Sequence, residues 1–294
     1  MSAVESIEAA AVRAGSRNVL PAGRMLSTRF LRSELRLVFG RLRNQIALAV
    51  MALVPILIGI AVKVSSPSGN DGPQFFNQIT QNGVFVSFAT LTVALPVFIP
   101  LALSVVAGDG LAGEASAGTL RYLLLVPVGR TRLLAVKYAV IVAYAFALAV
   151  LVAGIGLITG LALFGGGDAT TLSGTTISFG VAIWRLFLTC LYVTAMLAAV
   201  AALGLFVSTL VESAVVAMGV TAGTVIVAQV LDQIPQLHTI APYLANHYWT
   251  NFGDLLREPI MTGGIVRGLL VTLAYVGIFG SLAWARFTSK DVSS

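Results

Sequence analysis

Residues 138–164 read YAVIVAYAFALAVLVAGIGLITGLALF, an apolar run without a single charge. A helix needs roughly 20 apolar residues to cross about 30 Å of hydrocarbon. A strand in a barrel wall would alternate in polarity, and this run does not. It therefore reads as a membrane-spanning helix, and it sets the fold class as an all-α membrane protein. Working outward, five further runs have the same character: residues 46–64, 84–107, 186–208, 214–231 and 265–285. The second of the six contains Pro96 and Pro100, which are expected to kink it.

Composition agrees. Of 294 residues, 57% are apolar and only 10% are charged, with a mean hydropathy of +0.94. A soluble domain carries about 25% charged residues, so a soluble globular enzyme, a disordered chain and a coiled coil are all excluded. A single cysteine, Cys190, excludes an internal disulfide framework. The net charge of +6 is low for a nucleic-acid binder, and no nucleic-acid partner is expected.

The basic residues orient the chain. With the N-terminus inside, the inner segments 1–45, 108–137, 209–213 and 286–294 hold 14 Lys and Arg, against 4 outside. Basic residues accumulate on the cytoplasmic side, so both termini are expected in the cytoplasm. The first 25 residues lack an apolar core flanked by a cleavage site, so no signal peptide is expected there, only a flexible cytoplasmic tail.

Residues 26–45 differ from that tail. Leu31, Leu35, Val38, Phe39 and Leu42 share one helical face, while Arg29, Arg32, Arg36, Arg41 and Arg43 decorate the rest. This pattern predicts an amphipathic helix lying on membrane lipids ahead of the first span, although the arginines alone would also serve as a topology signal. The spans proper, with their loops, make up a transmembrane domain over residues 46–294.

Catalytic constellations are scarce. The span interiors lack Asp, Glu, Lys and Arg away from their ends, which argues against a proton-coupled transporter or a charged filter. A path could still be lined by Thr90, Thr92, Ser104, Thr221, Thr224 and Gln229. His238 and His247 lie in the outer stretch 232–264, where no Cys or close carboxylate is expected to complete a ligand set, so no metal site is expected. Gly108, Gly110 and Gly113 fit GxGxxG, but a membrane span rather than a strand precedes them, and they read as a flexible exit from that span. The outer loop at 165–182 reads as a flexible connection, and the stretch 232–264 as short aromatic-rich helices at the membrane surface. Gly156 with Gly160, and Gly219 with Gly223, have the GxxxG spacing that suits either packing within one subunit or a dimer face.

The inner loop 108–137 is unusually apolar. Leu120, Leu123, Leu124 and Leu125 belong to no span, their spacing suits a short amphipathic helix, and Pro127 ends it. Such a helix needs something to bury against, either headgroups or a partner protein. The full pattern is Glu114-x3-Gly118-Thr119-Leu120-x2-Leu123-Leu124-x2-Pro127-Val128-x-Arg130-x2-Leu133-Leu134-x2-Lys137. It resembles the signature loop of ABC-2 type permeases, the membrane subunits of ATP-binding-cassette exporters. The resemblance extends to the plan of an interfacial helix, six spans and an embellished outer stretch before the last span, and to the length of single permeases similar to the NosY type.

The resemblance implies a type V exporter-like fold and a permease subunit without catalytic residues, cofactor or metal of its own. ATP and Mg²⁺ would bind a separate ATPase, with two ATPase copies and a second permease, identical or paralogous, completing the unit. Glu114, Gly118, Thr119, Leu120, Arg121, Leu123, Leu124, Pro127 and Arg130 would form the main ATPase contact, and the turn from Ser208 to Ser213, with Glu212, a smaller one. Glu114 is expected near the start of the loop helix, as a cap or as a partner for a basic residue of the ATPase. Gly118 is expected to allow a hinge or a close approach, or to be a helix irregularity. The same resemblance implies a partly re-entrant cap, formed by the outer stretch over the exit. Three alternatives differ in class: an ATP-independent membrane transporter, a lipid-modifying membrane enzyme, and an ABC complex that transmits force to an outer protein without exporting cargo.

Overall fold

A computed structural model describes residues 28–65, 82–118 and 129–289. It is mostly helical. The helices are α1 (Thr28–Gly40), α2 (Leu42–Ser65), α3 (Val84–Ala94), α4 (Phe98–Ser116), α5 (Arg130–Phe164), α6 (Phe179–Leu210), α7 (Ala214–Asp232) and α8 (Gly263–Ser289). A two-stranded antiparallel ribbon, β1 (Ala169–Thr170) with β2 (Thr176–Ile177), joins α5 to α6. Three 3-10 segments, Pro235–Leu237, Ala241–Tyr243 and Trp249–Leu256, lie between α7 and α8. Six of the helices, α2 and α4 to α8, are long and apolar enough to cross a membrane, and the molecule is a multi-pass membrane protein.

The second expected span is broken rather than kinked. Pro96 has no N–H to donate and its ring crowds the preceding turn, so α3 stops at Ala94. Val97 leaves the helical region at φ −132°, ψ −56°, and α4 then begins with Pro100 in its first turn, where a missing N–H costs nothing. Together α3 and α4 run antiparallel to α5. Gly83 meets Gly160 at one end, Ser87 meets Gly156, Gly110 approaches Ile141, and Glu114 meets Lys137 at the other end.

Several helices reach further than the apolar runs suggested, and α6 begins at Phe179, seven residues before its run. α4 continues past residue 107 to Ser116, and α5 begins at Arg130, eight residues before the uncharged run at Tyr138. The amphipathic helix expected over residues 26–45 is α1, which ends at Gly40, and Arg41 forms a bend before α2. Leu42 therefore does not continue the apolar face of α1; it starts α2 and is 71% exposed.

The core lies along α3, α4, α5 and α6, where Leu91, Leu95, Ile99, Leu103, Leu148 and Leu197 are wholly buried. By contrast α2, α7 and α8 expose apolar side chains such as Leu57, Val227 and Leu273. In water such faces would be a liability, whereas in hydrocarbon they are the expected lining. Glycines set the closest crossings. A Cβ on Gly160 would collide with the Gly83 carbonyl, and one on Gly156 would lie 2.9 Å from Ser87 Cα. The first GxxxG motif thus packs inside the subunit. Gly219 and Gly223 on α7 have open space around them instead.

The loop at 165–182 is an ordered hairpin, a difference from the flexible connection expected. Gly165, Gly167 and Gly174 take positive φ values that other residues rarely adopt, which lets a Gly- and Thr-rich segment turn tightly. Leu172 N–H donates to Leu256 O, and Glu258 N–H donates to Ser173 Oγ, so the hairpin is fastened to the 3-10 stretch.

Candidate functional site: the charged junction of α1, α4 and α5

The ends of α4 and α5 that flank residues 119–128 are tied to other elements by buried charge. Lys137 of α5 donates from Nζ to Glu34 Oε2 of α1 at 2.9 Å and also to Glu114 Oε1 of α4. All three side chains are at most 10% exposed. One ammonium thus serves two buried carboxylates, and each carboxylate depends on it for a partner. One turn away on α4, Asp109 pairs with Arg41 at the α1–α2 bend and with Arg43 Nη2 at 2.9 Å. The bend itself is held by Asn44 Nδ2, which donates to Val38 O, and by the Tyr144 hydroxyl, which donates to Asn44 O.

α1 is thereby pinned to α5. Phe39 lies against Tyr144 with ring centroids 5.5 Å apart, and Leu31, Leu35 and Val38 are half-buried. Arg29, Arg32 and Arg36 remain exposed on the opposite face, where basic side chains suit anionic headgroups. Glu34 sits on the inward face among the apolar residues, and reading that face by its leucines alone missed it. A lone acid at an apolar position of a helix otherwise decorated by arginine was the available signal.

The expected coupling residues divide. Glu114 is not at the start of a loop helix: it lies in the last turn of α4, where the helix dipole disfavours a carboxylate, and Lys137 supplies the compensating charge. Gly118 adopts φ +67° and donates its N–H to Ala115 O, while Ala117 N–H donates to Gly113 O. This is the left-handed glycine that terminates a helix, so Gly118 is the stop of α4. Thr119, Leu120, Arg121, Leu123, Leu124 and Pro127 lie outside the described residues, as do the tail at 1–25 and most of the loop at 65–83. Arg130 is the first residue of α5, and its Nη1 donates to Phe287 O and Thr288 O at 3.3 and 2.8 Å, closing carbonyls at the end of α8. Glu212 is exposed in the short α6–α7 turn, where Ser213 Oγ accepts from Val216 N–H. Ser208 belongs to α6; its buried hydroxyl accepts from both Leu111 and Ala112 N–H and so joins α6 to α4.

The GxGxxG glycines lie within α4, a correction to the flexible exit expected. A Cβ on Gly108 would sit 2.5 Å from Met218 N, so this glycine lets α7 lie against α4. Along the spans, Thr90, Thr92, Ser104, Thr221 and Thr224 each donate back to the carbonyl four residues earlier. Their hydroxyls are satisfied by their own helices.

A second polar cluster lies at the other end. Buried Arg185 of α6 donates to Leu255 O and Arg257 O, both at 3.2 Å, and pairs with Glu258. His247 does have a carboxylate beside it, contrary to expectation: its Nδ1 is 2.6 Å from Asp232 Oδ1, brought near by the fold from the end of α7, while His238 Nδ1 is 3.1 Å from Pro235 O. Among the described residues no three His, Cys, Asp or Glu side chains are grouped to hold a metal ion. The short aromatic segments expected here are present, with Trp249, Phe252, Leu255 and Leu256 buried in the core.

Six apolar helices, with two charged clusters confined to their opposite ends, define a multi-pass membrane protein whose polar chemistry sits at its two surfaces. The chain belongs to the family described as "Protein of unknown function (DUF2705)", which matches residues 45–293. No curated protein matches the chain.

Proposed function

We propose that the chain is the permease subunit of an ABC transporter with an ABC-2, type V exporter-like fold, acting as an exporter and driven by a separate ATPase through the 108–137 segment. It forms the translocation path with a second copy or a paralogue, in a bacterial or archaeal plasma membrane with both termini in the cytoplasm. ATP and Mg²⁺ bind two copies of the partner ATPase, and this chain supplies the contact and the moving spans.

One observation carries this reading: the segment whose sequence resembles the signature loop is held between two anchored helix ends. On one side Glu114 ties α4 to Lys137 and through it to Glu34 of α1; on the other Arg130 ties α5 to the end of α8. A push on residues 119–128 therefore reaches four helices at once, because close-packed elements pass on displacement rather than absorb it. The leucines at 120, 123 and 124 give non-directional burial that tolerates rocking against a partner. In this arrangement Glu114 and Arg130 are struts of the joint, and Glu212 marks the smaller contact at the α6–α7 turn. The 3-10 stretch between α7 and α8 caps the exit.

The test is copurification from native membranes. The tagged chain is expected to bring down a chain containing GxxxxGK[ST]. Leu123→Asp is expected to lose that chain while remaining membrane-inserted. Undiminished association in Leu123→Asp, or purification with no such ATPase, would overturn the proposal.

A further inference from the structure

α1 carries three arginines, Arg29, Arg32 and Arg36, and one acid, Glu34. The acid is buried against Lys137, while all three arginines are exposed. Among the described residues none of the three pairs with a carboxylate. The helix therefore turns three uncompensated positive charges away from the bundle.

The height of this face follows from what α1 packs against. Glu34 meets Lys137, one residue before the uncharged run of α5 begins at Tyr138, and Phe39 meets Tyr144 inside that run. Arg32 and Arg36 each lie two residues from Glu34 and are exposed where it is buried, so they stand where α5 enters hydrocarbon. Lipid headgroups lie at that level. The apolar face of α1 is taken up by protein: Val38 and Phe39 pack against the core, and Leu31 and Leu35 are half-buried. What α1 offers the membrane is charge rather than an apolar face to insert.

We propose that the face made by Arg29, Arg32 and Arg36 is a binding surface for anionic phospholipid headgroups, and that lipid charge sets how firmly α1 is held at its junction with α4 and α5. Guanidinium groups match phosphate oxygens in geometry as well as charge. The three span about 10 Å of helix, a row that a plane of many phosphates meets along its length and a single soluble anion does not. Phosphatidylcholine cancels its own phosphate with choline, so the surface selects lipids of net negative charge. Glu34 and the arginines share one short helix, and a ligand that binds only docked α1 stabilises the docked state. This surface is independent of the ATP-driven reading, and its failure would leave that reading standing.

The experiment measures amide hydrogen exchange of the full chain in nanodiscs of phosphatidylcholine alone and of phosphatidylcholine with phosphatidylglycerol. Phosphatidylglycerol is expected to slow exchange over residues 30–40 about tenfold, since each basic residue near an anionic surface adds its own attraction. Residues 235–256, at the other end of the bundle, are expected to be unaffected. The triple variant Arg29→Gln, Arg32→Gln, Arg36→Gln changes only exposed side chains and is expected to erase the difference between the two discs, whereas the triple lysine variant keeps most of it. Equal exchange of the wild-type chain in the two discs would leave the face to an acidic protein surface and overturn the proposal. So would slowing of the same size in the glutamine variant, slowing shared by residues 235–256, or slowing that inorganic phosphate reproduces in phosphatidylcholine discs. The wild-type comparison decides the matter even if a variant fails to fold.

Discussion

Lys137 and Glu34, 103 residues apart in sequence, form a buried ion pair of 2.9 Å that joins the middle of α1 to the first turns of α5. Glu114 shares the same ammonium group. The pair turns an amphipathic helix into a fixed part of the bundle, and it places α1 where it feels any displacement of α4 or α5.

Removing Lys137 should be costly because it strands two carboxylates. Breaking a buried pair by deleting one partner costs about 3–5 kcal/mol, whereas replacing all partners by apolar groups of similar volume is often close to neutral. Lys137→Met should therefore lower the thermal midpoint of the detergent-solubilised protein strongly. The triple variant Glu34→Met, Lys137→Met, Glu114→Met should recover most of the loss. A triple variant as unstable as Lys137→Met would show that the charges are not what holds the junction.

The two GxxxG motifs should respond in opposite ways. Gly160→Leu drives a side chain into the Gly83 backbone, which cannot yield, and overpacking of this kind costs about 1–3 kcal/mol or more. Gly219→Leu enters open space and should leave the thermal midpoint of the subunit nearly unchanged. Equal destabilisation in both variants would contradict the packing described for α3, α5 and α7.

Arg130 should act on a distant helix. Its guanidinium caps the Phe287 and Thr288 carbonyls, and hydrogen bonds to a charged donor are worth about 1.5–3 kcal/mol. Arg130→Gln should speed amide hydrogen exchange over residues 284–289 of α8 and leave α7 unchanged. Unchanged exchange at the end of α8 would refute the link.

How much of this could be read beforehand follows from the kind of signal each feature leaves. The spans were legible because hydrocarbon demands long apolar runs, and residues 138–164 could be nothing else. The same criterion cut α4 short. Asp109 and Glu114 look like loop residues to a hydropathy reading, and their partners Arg41, Arg43 and Lys137 come from other helices. Pro96 announced a distortion, but whether a proline kinks or breaks a helix depends on what packs around it. The role of Gly108 required knowing that α7 crosses α4 there. At the other end, the buried Asn246 Oδ1 and Trp249 Nε1 have no hydrogen-bond partner among the described residues, which leaves no trace in the sequence, since lacking a partner is a property of three-dimensional placement.

The most direct test of coupling through residues 119–128 is a site-specific cross-link. Cys190 is the chain's sole cysteine and is buried, so Cys190→Ser gives a background in which one introduced thiol reports alone. Leu123→Cys is compared in native membranes with Tyr243→Cys, which is 72% exposed at the opposite end of the bundle. A short thiol-to-amine reagent should join Leu123→Cys, and not Tyr243→Cys, to a chain carrying a P-loop. An ATPase that copurifies yet never cross-links at position 123 would contradict the proposed joint.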